Sequence, residues 1–180
     1  MIDMLHRLNR WIGLLAGAAL LVMGGLILVE IVLRRTGGGF LGGTDEISGY
    51  VMAAIATWGF AYALTERAHV RIDLIQQRLA PRLRSLLDIL ALACLTGVAA
   101  LVATYGWRVL ATTLARGSRA NTPLETPLWI PQSIWFAGWV WLTVTGALLL
   151  IAALGAFRRG RLDEIERLAG SSSEAGGAGS

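Results

Sequence analysis

The chain has 180 residues, 55% of them apolar and only 16% charged, with a formal net charge of +4. A soluble domain carries about a quarter of its residues as charges, so this composition excludes an ordinary globular domain and points to the lipid bilayer. The sixteen basic residues are all arginines that flank apolar runs instead of forming one patch, which sets nucleic acid aside as a partner and makes membrane orientation their role.

In chain order, residues 11–33 form the first apolar run, long enough to cross a hydrocarbon core of roughly 30 Å. It follows Arg7 and Arg10 and so starts like a signal peptide, but it exceeds an h-region of about 7–15 residues, and we read it as a retained signal anchor. Glu30 lies four residues before Arg34, the spacing of an i,i+4 ion pair. A carboxylate inside a membrane is also a candidate ion path, although one without deeper partners makes a poor path.

The glycine-rich turn at 36–43 lacks the Lys and Ser/Thr of a phosphate loop. Thr44 is the expected N-cap of a second helix with Asp45 and Glu46 in its first turn, where carboxylates suit the helix dipole. Its span covers 47–65 and is rich in small residues (Gly49, Ala53, Ala54, Ala56, Gly59, Ala61, Ala63) that allow close helix approach.

Residues 66–80 contain the most charged run, E-R-A-H-V-R-I-D-L-I-Q-Q-R-L. On a helical wheel Ala68, Ile72, Ile75 and Leu79 share one face and Arg67, Arg71 and Arg78 flank it, the pattern of an amphipathic helix lying in the membrane plane. Strict alternation over 67–74 is also a strand signal, but an isolated strand near lipid leaves its backbone groups unpaired, and the helix is preferred. Val70 and Leu74 form a second apolar patch nearly opposite the first; it suits either a partner protein or this chain's own spans.

Pro81 marks a break, and a third span covers 86–107, with Asp88 one turn from Arg84. In the following segment, 108–129, Pro123 and Pro127, with Pro131 just beyond it, are expected to interrupt helix. The fourth span covers 134–157, with Trp129, Trp135, Trp139 and Trp141 near its start as an aromatic belt, and Arg158, Arg159 and Arg161 at its end. Leu162 begins one short amphipathic turn reaching Leu168, and 169–180 is a Gly/Ser/Ala tail expected to be disordered. The expected architecture is therefore an all-α integral membrane protein, a domain over 1–168 with four transmembrane helices and an in-plane helix after the second. With both termini inside, eleven arginines face the cytoplasm and five face outward, which orients the chain by the positive-inside rule.

No catalytic constellation emerges. The two histidines, His6 and His69, both fall on the predicted cytoplasmic side, leaving a haem anchor short of axial ligands and nucleophilic catalysis without a base. Lone Cys94 forms no internal disulfide. We expect no enzyme, no cofactor and no metal site. A transporter acting alone is also unexpected, because neither an inverted repeat nor mid-membrane charge is evident. A partner-binding membrane subunit remains.

Four stretches carry a family resemblance: D-E-I-S-G-Y at 45–50, W-G-F-A-Y-A at 58–63, E-R-A-H-V-R-I-D-L at 66–74 and T-P-L-W-I-P-Q-S at 126–133. In their order and spacing, and in its four-span layout, the chain resembles the small permease subunit of TRAP (tripartite ATP-independent periplasmic) transporters. The resemblance implies a bacterial inner-membrane subunit that scaffolds a large permease. That permease would import an organic anion, often a carboxylate, with sodium, and a periplasmic binding protein would supply the anion. It implies no catalytic residue. On the matching positions, Glu46, Tyr50, Arg67, His69, Arg71 and Asp73 are candidates for structural or interface roles, joined by Val70 and Leu74 from the apolar patch. Membrane lipid is the remaining partner. The runner-up is the membrane anchor of a redox enzyme; a tricarboxylate carrier's small subunit shares the layout but should lack H-V-R-I-D-L.

Overall fold

The computed structural model describes residues 2–37, 39, 42–66, 79–162 and 165. Four long helices account for nearly all of them: α1 (Ile2–Thr36), α2 (Thr44–Thr65), α3 (Pro81–Arg116) and α4 (Trp129–Arg158). All four are long and apolar enough to cross a membrane, and among the described residues the only strand-like feature is a single antiparallel bridge between Arg119 and Pro127. The tail at 169–180 and residues 67–78 of the expected surface helix lie outside the described residues. The flanks of that segment are not helical: Glu66 is the C-cap of α2 and Ala80 the N-cap of α3.

Two helix boundaries differ from the sequence reading for local reasons. Pro81 starts α3 at N1, where its missing N–H is one that the helix would leave unpaired anyway. Pro131 lies in the first turn of α4 and is tolerated on the same ground, so the interruption expected from three prolines shrinks to residues 117–128. The helix α3 also runs past the predicted span to Arg116, where Gly117 adopts the left-handed conformation (φ 59°). Ser118 and Gly117 then donate backbone bonds to Thr113 and Leu114, a Schellman ending.

The helices pack side by side in the order α1, α2, α4, α3, with the main contacts between neighbours in that row. Each seam closes where a small residue lets the partner in. At the α1–α2 seam, a Cβ on Gly13 would sit 2.9 Å from the Tyr62 ring. At the α2–α4 seam, Gly138 leaves no room for a Cβ against Thr57, whose own Cβ would lie 2.7 Å away. The backbones come close enough there for Trp58 Nε1 to donate to the Ile134 carbonyl at 3.0 Å. At the α3–α4 seam, Gly146 faces Thr96. This is small-residue packing of the kind membrane helices use, since lipid offers no hydrophobic drive to bring them together. Of the small residues singled out on α2, Ala61 is fully buried, whereas Gly49 and Gly59 meet nothing across from them.

Five span threonines satisfy themselves, whereas the buried Thr145 hydroxyl has no hydrogen-bond partner among the described residues. Thr57, Thr65, Thr96, Thr104 and Thr143 each return a hydroxyl to a carbonyl one turn back, which removes the cost of an unpaired donor in an apolar setting. The core gathers toward the end where the chain's N-terminus lies, from Leu5, Leu64, Ile89, Leu149 and Ala156. Ile165, beyond α4, is fully buried in the same cluster, so the chain turns back onto the core after its last span.

Candidate partner interface

Burial divides the helices sharply. Of the most apolar stretch of α4, 33% is buried within the chain; for α1 the share is 6%. Among the described side chains of α1, Leu5, Asn9, Met23 and Glu30 are buried, while Leu14, Leu15, Leu21, Leu28 and Val32 face outward. The row therefore leaves α1 as an edge with a broad apolar face.

Two polar clusters hold the row. The first joins three helices. Asn9 is fully buried; its Nδ2 donates to the Ala61 carbonyl of α2 at 3.3 Å, and its Oδ1 accepts from Trp141 Nε1 of α4 at 2.7 Å. This corrects the reading of the tryptophans as one belt. Trp129 is exposed at the start of α4, but Trp141 lies twelve residues, roughly 18 Å, further along and serves as an internal donor. Trp139 packs against the core, its ring 5.7 Å from that of Phe60. Asn9 was not singled out from sequence. A lone amide two residues before an apolar run reads as an interfacial residue, and nothing local announces a partner 132 positions away.

The second cluster joins α2 to the 117–128 loop. The loop closes on itself through Ala120 N–H to Thr126 O (2.9 Å) and Leu128 N–H to Ser118 O (3.1 Å). Its tip folds over the start of α2. Glu46 accepts from the Tyr50 hydroxyl at 2.7 Å and from the Thr122 hydroxyl, and Thr126 faces the same carboxylate with its hydroxyl and backbone N–H. Leu124 fills the space a side chain at residue 43 would need, and Gly43 there has φ 93°. Gly43, not Thr44, is the N-cap, and it supplies no side-chain bond. Thr44 is released to face Glu30 of α1. Glu30 makes the expected pair with Arg34, at 2.8 Å.

Of the sequence-derived candidates, Glu46 and Tyr50 thus meet in one contact within the chain. Arg67, His69, Val70, Arg71, Asp73 and Leu74 lie outside the described residues. Among the described residues, no group of three or more His, Cys, Asp or Glu side chains is placed to hold a metal.

Four apolar helices held side by side by glycine seams define a multi-pass membrane protein. Residues 23–161 match the family model for the DctQ component of tripartite ATP-independent periplasmic transporters, and the chain belongs to that family, as the small membrane subunit of such a transporter. No curated protein and no solved structure matched the chain.

Proposed function

We propose that the chain scaffolds a large permease in the bacterial inner membrane, both termini cytoplasmic, and that the assembled permease imports an organic anion, often a carboxylate, with sodium. A periplasmic binding protein would deliver the anion to the assembly. Membership of the DctQ component family carries this reading, because that component works within a tripartite transporter. The exposed apolar face of α1 supports a scaffold: such a face needs lipid or another membrane protein against it. The arginine asymmetry, eleven against five, supports the orientation. In this reading the chain contributes no catalytic group. Arg67, His69, Val70, Arg71, Asp73 and Leu74 contact the large subunit from an in-plane helix, while Glu46 and Tyr50 shape the opposite surface.

Co-expression with the large permease tests it. The two should co-purify, and uptake of the anion in proteoliposomes should require both chains and a sodium gradient. Full uptake by the large permease without this chain would refute the scaffold role. For the in-plane helix, Arg71→Glu, or Val70→Asp with Leu74→Asp, should reduce recovery of the complex more than membrane insertion.

A further inference from the structure

A cavity of about 400 Å³ opens between the end of α1 and the start of α2, and the chemistry of its wall is mixed. Ile27 and Ile31 form an apolar floor that continues into the exposed apolar face of α1. Above them stand Glu30, Arg34 and Arg35 from α1, with Thr44 and Asp45 from α2. Two guanidinium groups and two carboxylates make the wall neutral in sum but strongly dipolar. Glu30 is committed inward, held by Arg34 and faced by Thr44, while Arg35 and Asp45 are exposed at the mouth.

We propose that this cavity binds a zwitterionic phospholipid with a primary ammonium headgroup, a phosphatidylethanolamine. The phosphate lies against Arg35 and Arg34, the ammonium donates to the Asp45 carboxylate, and an acyl chain runs along Ile31 and Ile27. Three features on one wall select this occupant. The guanidinium groups suit a phosphate; the carboxylate beside them suits an ammonium that still carries N–H donors, which a choline headgroup lacks; the apolar floor, open to the bilayer, suits a ligand that brings its own chain. An anionic lipid satisfies the arginines but leaves Asp45 facing like charge. The lipid would join α1, the least buried helix, to α2 at the end away from Asn9.

Native mass spectrometry of the full chain in detergent, titrated with phosphatidylethanolamine, phosphatidylcholine and phosphatidylglycerol of matched acyl chains, tests this directly. Phosphatidylethanolamine should be retained about tenfold more tightly than phosphatidylcholine, the scale of one charge-assisted hydrogen bond. Asp45→Asn should erase that preference, and Arg35→Gln should weaken both lipids together; circular dichroism checks that both variants keep their helix. Soluble glycerophosphoethanolamine at equal concentration should not compete, since it has no chain for the Ile27–Ile31 floor. Equal retention of the three lipids in the unmodified chain, tightest retention of phosphatidylglycerol, an unchanged preference in Asp45→Asn, or competition by the soluble headgroup would each overturn the proposal.

Discussion

The two ends of α2 are held by polar clusters of opposite character. Near its C-terminal end, Asn9 is sealed inside the protein and ties three spans through two hydrogen bonds. Near its start, Glu46 lies in a partly open site and ties one span to a loop through the Thr122 hydroxyl and the flanking Thr126, with Tyr50 of the same helix as a further donor. The first cluster has no water to fall back on, so each of its groups must find a protein partner, and the geometry of the helices is set by that demand. The second can exchange its bonds for water at modest cost. It shapes a surface more than it holds the fold.

The change expected to break both clusters together lies in the seam between them. Gly138→Val places a branched side chain where Thr57 already stands and separates α2 from α4. A loss of about 3 kcal/mol, the upper range for overpacking, should appear as a large drop in the thermal midpoint in detergent. Next comes Asn9→Leu, which strips the acceptor from Trp141 Nε1 while keeping side-chain bulk. The cost should be about 1–2 kcal/mol, the range for polar contacts between membrane helices, read as a lower midpoint. Glu46→Gln should cost about 1 kcal/mol at most, yet it should expose the loop, with trypsin cutting after Arg119 several-fold faster. Smallest is Tyr50→Phe, which removes one of the donors to Glu46. It should shift stability by about 0.5 kcal/mol and leave the cleavage rate near that of the unmodified chain. If Asn9→Leu and Glu46→Gln had equal effects on the midpoint, the contrast between a buried and a surface cluster would fail.

Much of this was legible in the chain. Apolar length placed four membrane helices, and the i,i+4 spacing of Glu30 and Arg34 announced their pair, because both signals depend on residues close in sequence. Pro81 marks a break as read, but Pro131 misled, because position within a turn mattered more than identity: it sits in the first turn of α4. Glu46 and Tyr50 stood out from the family resemblance, but their partner Thr122 is 76 residues from Glu46 and carries no pattern of its own.

By itself, then, the sequence determined the class of protein, the number of spans and the family, since hydropathy and short motifs are local quantities that need no knowledge of neighbours. Only the tertiary structure decided the row α1, α2, α4, α3, the use of Trp141 as an internal donor to Asn9, and the lodging of Leu124 over Gly43. Every apolar helix is an acceptable neighbour for every other in lipid. Which pairs form is settled by where a missing Cβ or a matched donor and acceptor permits contact, and those matches exist only once the helices have met.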